Sequence, residues 1–172
     1  MLGGFLKRFI RPLRLFSSNF VSLVDENSIV RKASWILAAE KVEGDYLEFG
    51  VYRGGSIIKA HREMEEVYRE HMEESGGRSS EATEEIKRIW SEMRFFAFDS
   101  FQGLPKIDGL DALGSDFEEG GWSSNEEDFR INLTKSRFPM DKLVVVPGWF
   151  EESCREETKQ ENGLKKAAII HI

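Results

Sequence analysis

The chain of 172 residues has a single cysteine, Cys154, so no internal disulfide can form, which fits a reducing, cytoplasmic compartment. No base stands beside Cys154 in sequence, and an ordinary helix thiol is a better reading than a nucleophile. Long apolar runs are also lacking: none reaches the ~18 residues that cross a bilayer. Positive charge is scarce, with 24 Lys and Arg against 31 Asp and Glu and a formal net charge of −7. Four of the cations (Lys7, Arg8, Arg11 and Arg14) fall within residues 1–24, which hold no acid, so the remainder is more acidic still. Such a body excludes a broad nucleic-acid surface, where phosphate must meet clustered Lys and Arg. Histidine is limited to His61, His71 and His171, with no recurring ligand spacing. His61 and His71 sit in a heavily charged stretch and read as part of a solvated helical face.

What is present suffices for one sizeable core, since 40% of the residues are hydrophobic. Residues 1–24 form a basic amphipathic arm in which Phe5, Leu6, Phe9, Ile10, Leu13 and Phe16 share a helical face, although Pro12 interrupts a continuous helix. Three readings stand for residues 1–20: a helix packed on the body or on a second subunit of a homo-oligomer, a peripheral membrane anchor, or a targeting or disordered arm.

The rest of the chain is organised around Gly44-Asp-Tyr-Leu-Glu-Phe-Gly-Val-Tyr-Arg-Gly-Gly-Ser56. Tyr46, Leu47 and Phe49 are strand formers, the run stops at glycines, and Ser-Ile-Ile-Lys-Ala opens a helix. Strand, glycine turn and helix start together cradle anions, because the backbone can approach closely and free amides point outward. The spacing Glu48-x-Gly50-x-x-x-Gly54 differs from the Gly-x-Gly-x-x-Gly of nicotinamide and flavin proteins.

Before this strand, Asn27 or Ser28 caps a helix from Ile29 to about Lys41, with Ile29, Ala33, Ile36 and Leu37 on its apolar face. After it, a helix runs from Ser56 to about Glu74, residues 75–80 break it, and a second pattern from Glu81 places Ile86, Ile89, Trp90 and Met93 together. Arg94-Phe-Phe-Ala-Phe-Asp99 is a buried strand ending in an acid. Fifty residues separate Glu48 from Asp99, against about 20 in a minimal nucleotide-binding unit. The charged helical pair 61–93 reads as an insertion that accounts for the excess. Residues 100–125 form a long glycine-bearing loop, and Ser124-Asn-Glu-Glu127 is a capping box for a helix that buries Phe129 and Leu133. Leu143 to Val146 is a buried strand closed by Pro147-Gly148. A polar helix from about Phe150 to Glu161 and an apolar strand, Ala167 to Ile172, follow. The order predicts an α/β chain, half of a doubly wound parallel sheet.

Four blocks now make a family resemblance specific: Glu48-Phe-Gly-Val-Tyr-Arg-Gly-Gly-Ser56, Phe98-Asp-Ser-Phe-Gln-Gly-Leu-Pro105, Pro147-Gly-Trp-Phe-Glu-Glu152 and Ala168-Ile-Ile-His-Ile172. In this order, over residues 25–172, the chain resembles the macrocin O-methyltransferase (TylF-type) family of class I S-adenosylmethionine (AdoMet) methyltransferases. The resemblance implies a Rossmann-like fold, AdoMet as cofactor and methyl transfer to a hydroxyl of a small-molecule acceptor, such as a sugar moiety of a natural product. It also implies Mg2+, which family members commonly use. The family pattern continues past the His-Ile strand into an acidic segment and further strands. The chain is therefore expected to be the cofactor-binding half, ending after a fourth strand, with a non-catalytic AdoMet-binding scaffold as the alternative.

Carried over residue by residue, the resemblance places Glu48 as the acid that holds the loop and the amino group of AdoMet, against an ordinary strand-end role. Gly50 and Gly54 admit the amino-acid end, and amides near Gly55 and Ser56 meet its carboxylate. Asp99 accepts from the ribose hydroxyls, with Ser100 assisting; its alternative is a turn or cap. Trp149 and Phe150 wall the adenine or are simply core. Tyr52 and Arg53 lie within reach of ligand, and Gly103 to Pro105 edge the entrance or form a plain turn. No general base is evident: His171 reads as a buried strand residue, and Asp108, Asp111 and Asp116 lack a metal spacing.

Overall fold

The computed structural model describes residues 28–74, 81–106 and 120–172. The N-terminal arm, the break at 75–80 and Asp108, Asp111 and Asp116 lie outside the described residues. Four strands form the sheet: β1 Asp45–Phe49, β2 Phe95–Asp99, β3 Leu143–Pro147 and β4 Ala167–His171. All pairs are parallel, in the order β3-β2-β1-β4. This is the 3-2-1-4 arrangement of a Rossmann-like sheet, and it brings the carboxyl ends of β1, β2 and β3 to one edge. No helix among the described residues is long and apolar enough to cross a membrane.

Strand alternation sorts the core into two faces. Tyr46, Phe95 and Ala97 point to one side and join Ile57, Met64, Tyr68, Ile89, Phe129 and Leu133. Leu47, Phe96, Phe98 and Val146 form a smaller cluster on the other. Helices α1 Ile29–Ala39, α2 Gly55–Glu74, α3 Glu81–Glu92 and α4 Glu126–Lys135 supply the first face, with α1 packed on α2 and α2 on α3. The polar helix expected over 150–161 is two short ones, α5 Phe150–Ser153 and α6 Glu156–Glu161, parted at Cys154 and Arg155. β3 and β4 are less buried than expected; Ile170 of β4 is 59% exposed.

Ser28 caps α1 by accepting from the Arg31 amide, but the apolar face differs from the one expected. Ile29 and Ile36 are 82% and 64% exposed, while Ser34, Leu37 and Ala38 are buried. In this orientation Arg31 pairs with Glu66 and Glu70 of α2, at 2.8 and 3.0 Å. The helical pair at 61–93 packs into the main core, where Met64, Val67 and Tyr68 are fully buried.

His61 and His71 are buried rather than solvated. Both fall on the stripe Ile57, Ala60, His61, Met64, Val67, Tyr68, His71, whose helical spacing is hidden by the acids between them. His71 meets Trp35 edge-on at 4.1 Å. His61 packs among Trp90, Phe95 and Phe138 at 4.9–5.5 Å. Desolvation holds its pKa below the ordinary value; the Glu65 charge opposes that shift, while Lys142 and Arg62 add to it. Between the depressed folded value and the ordinary unfolded one, the unfolded chain binds the extra proton, so this contribution is complete above about pH 6.5 and shrinks on acidification. Thermal melts from pH 7.5 to 5 should show a fall in Tm that flattens in His61→Phe; equal slopes in both proteins would remove His61 as the cause.

At the amino edge of the sheet, Arg94 fastens three segments. Its guanidinium donates to both Asp45 oxygens, at 2.7 and 3.3 Å, and to the carbonyls of Asn162 and Gly163. β1, β2 and the approach to β4 are thus held in register below the functional edge.

Candidate functional site

At the carboxyl end of β1 the chain enters Gly50, whose φ is +84° and whose missing side chain faces open space. Tyr52 follows at φ +48° and Gly54 at +83°, and α2 begins one residue later. The loop is held from the neighbouring strand. Asp99 Oδ2 accepts from the amides of Val51 and Tyr52, both at 2.8 Å, and Oδ1 accepts from the Phe101 amide at 2.8 Å. Gly50 N–H also donates to the Phe98 carbonyl. Asp99 and the loop amides therefore meet each other directly, and Oδ1 retains capacity for a further donor.

Gly148, at φ +125°, closes β3 and donates to the Asp99 carbonyl, which turns Trp149 and Phe150 toward the same edge. Phe49 stacks on Phe98 at 4.6 Å and meets Phe150 edge-on at 5.6 Å. On the opposite side, Leu104 pairs with the backbone of Gly120 and Gly121 through two bonds of 2.9 Å. A side chain at Gly103 would lie 2.6 Å from the Gly120 carbonyl oxygen, so only glycine permits this approach.

These segments enclose a cavity of about 690 Å³, lined by Phe49, Gly50, Tyr52, Asp99, Ser100, Gly103, Leu104, Pro105, Trp122, Gly148, Trp149, Phe150 and Glu151. Its charged lining groups, Asp99 and Glu151, are both acidic. Six of the residues singled out from sequence thus converge: Gly50, Tyr52, Asp99, Ser100, Trp149 and Phe150. Gly103, Leu104 and Pro105 join them.

Glu48, Gly54 and Ser56 are not among the lining residues. Glu48 is 2% exposed and points to the helix-covered face, as its alternation with Tyr46 dictates. Ser56 Oγ donates to Glu48 Oε1, Tyr46 donates to Glu48 Oε2 at 2.5 Å, and His171 Nδ1 stands 3.3 Å from the same oxygen. Burial, reinforced by the adjacent Glu48 charge, drives the Tyr46 hydroxyl pKa upward, so it stays protonated as a donor. The network ties β1, β4 and the first turn of α2 together behind the glycine loop. His171 is half exposed rather than buried, its side chain 40% accessible. Gly54 is required by packing, since a Cβ there would lie 2.3 Å from Leu133 Cδ1.

Trp122 was not anticipated as a lining residue. It lies in a glycine-flanked stretch without periodicity, and the only signal was an aromatic after two glycines. The capping box is also shifted by one. Asn125 caps α4 by accepting from the Asp128 amide at 2.6 Å, which leaves Ser124 to donate to the Tyr52 carbonyl at 2.9 Å. Among the described residues no group of three or more His, Cys, Asp or Glu is arranged to hold a metal ion.

No protein-family model matches the chain. Among solved structures, the O-methyltransferase NovP is 22% identical with a TM-score of 0.44, over 72% of this chain and 44% of that one. The chain is also 30% identical over 121 residues to 8-demethyl-8-(2,3-dimethoxy-alpha-L-rhamnosyl)-tetracenomycin-C 4'-O-methyltransferase of Streptomyces olivaceus. That match takes in 67% of this chain and 38% of the enzyme, so the chain is similar in sequence to an O-methyltransferase while spanning well under half its length.

Proposed function

We propose that this chain is the AdoMet-binding part of an O-methyltransferase of the TylF type, acting on a sugar hydroxyl of a natural product. The observation that carries the reading is the single cavity in which Gly50, Asp99 and the Trp149–Phe150 pair meet at the carboxyl edge of β1, β2 and β3. Its volume of about 690 Å³ suits a ligand of this size. AdoMet, when bound, supplies an electrophilic methyl group on a sulfonium cation. Gly50 leaves room for the amino-acid end, the free capacity of Asp99 Oδ1 takes a ribose hydroxyl, and Trp149 with Phe150 walls the adenine. Glu48 and Ser56 act one layer back by fixing the start of α2.

Charge favours this ligand over a dinucleotide. A pyrophosphate would enter a cavity whose charged lining groups are two carboxylates, whereas a sulfonium gains from them. The tetracenomycin enzyme methylates a rhamnosyl 4'-hydroxyl by its name, and this supports a sugar acceptor here. Mg2+ remains part of the proposal through the family resemblance, with no ligand residue assigned. Calorimetry with AdoMet, S-adenosylhomocysteine and NAD tests the reading. Micromolar binding of the first two without NAD is expected; NAD binding, or no binding of either adenosyl ligand, would overturn it.

A further inference from the structure

Trp122 is 68% exposed, yet an unusual amount of structure is spent on holding it. Its φ is +59°, two residues after Gly120 at +74°, a left-handed conformation that costs a non-glycine residue roughly 1–2 kcal/mol. The paired backbone of Leu104 with Gly120 and Gly121 fixes the segment. The indole meets the Tyr52 ring edge-on at 5.7 Å, and the Arg53 guanidinium lies 5.2 Å from the centroid of that ring. Tyr52 is itself left-handed and is pinned by Ser124. A side chain that only filled space would relax into ordinary backbone and bury its ring. This one is kept strained and open beside a cavity, the pattern of a preorganised contact.

Position and chemistry together identify the contact. Trp122 shares the glycine-loop side with Tyr52, whereas Trp149 and Phe150 follow β3, with β2 lying between β3 and β1. On the reading above the adenine walls are elsewhere, and we place the acceptor's approach on the glycine-loop side of the cavity, where Trp122 stands. A pyranose ring presents a face of C–H bonds with partial positive charge, and an indole face carries the complementary negative quadrupole. We propose that the exposed indole of Trp122 is the platform on which the acceptor's sugar ring stacks, with its hydroxyls left free at the ring edge. This rests on the methyl-transfer reading above and assigns a specificity-determining residue to it.

The test pairs wild type with Trp122→Ala and Trp122→Phe. Saturation-transfer NMR with methyl α-L-rhamnopyranoside, under saturating S-adenosylhomocysteine, should give a signal in wild type. With cofactor-site occupancy matched for each variant by calorimetry, the signal should fall at least about fivefold in Trp122→Ala and largely return in Trp122→Phe. An unchanged rhamnoside signal in Trp122→Ala, or none in wild type, overturns the platform while leaving cofactor binding intact. A selective loss of AdoMet, with S-adenosylhomocysteine retained, would instead make the indole a cage for the sulfonium and also overturns it. Failure of wild type to bind either adenosyl ligand sinks the methyl-transfer reading, and the platform falls with it.

Discussion

Replacing Asp99 with alanine is expected to weaken AdoMet binding by about a hundredfold or more and to lower stability by about 3 kcal/mol. The carboxylate gathers three backbone amides, those of Val51, Tyr52 and Phe101, each at 2.8 Å. Two of these donors belong to residues in the left-handed region, Tyr52 at +48° and Phe101 at +56°. Asp99 therefore offsets strain on both sides of the cavity as well as pairing donors. In the alanine variant those amides turn to water and both turns relax toward ordinary backbone. The floor of the cavity then loses its shape before any ligand contact is counted. For a chain of this length the loss corresponds to a Tm lowered by roughly 6–12 °C.

Affinity should fall by about a hundredfold or more, since a charged acceptor and the loop it shapes are lost together. Asp99→Asn should lie between, because its amide oxygen still accepts from one side while its NH2 group confronts a backbone donor on the other. Calorimetry with S-adenosylhomocysteine and thermal denaturation separate the two effects. Affinity within threefold of wild type in Asp99→Ala would remove this carboxylate from the site, whatever the change in Tm.

The central strands and Asp99 were legible because their signals are local. A short apolar run ending in glycine or an acid can hardly be placed other than at a strand tip, and β1 beside β2 then brings Gly50 to Asp99. The direction of Glu48 was legible too, by counting two from Tyr46. Other features depend on partners far away in sequence. The face of α1 is fixed by packing on α2, where Leu37 and Ala38 are buried and Arg31 meets Glu66 and Glu70, and no pattern within residues 29–39 reveals it. The α4 cap moved by one residue because Ser124 is engaged by Tyr52, 72 positions earlier. His61 looked solvated because hydropathy weighs a histidine among glutamates as polar, whereas the stripe it belongs to is apolar at helical spacing. Trp122 had neither period nor neighbours to mark it, and only the paired backbone around Gly103 gives it a place.

Gly54→Ala is expected to destabilise the fold by about 3 kcal/mol or more, for reasons of packing. A Cβ at this position would lie 2.3 Å from Leu133 Cδ1 and 3.0 Å from Phe129 Cε2. Neither neighbour can give way, because both are fully buried on α4. The φ of +83° adds the cost of a left-handed alanine, roughly 1–2 kcal/mol. Gly50 is the internal control: it shares the positive φ, but a Cβ there meets nothing within 4 Å. Gly50→Ala should therefore show the backbone cost alone in a melt, and any larger effect should appear in ligand affinity. The clash also predicts coupling. Leu133→Ala alone should cost about 2–5 kcal/mol through its cavity, but the double variant should be less destabilised than the two singles combined by about 1 kcal/mol or more, since the new methyl occupies space that Leu133 vacates. A Gly54→Ala melt indistinguishable from wild type, or strict additivity with Leu133→Ala, would show that α4 does not set the position of the glycine loop. With the coupling present, the distance between α4 and β1 becomes the dimension that holds Tyr52 at the cavity.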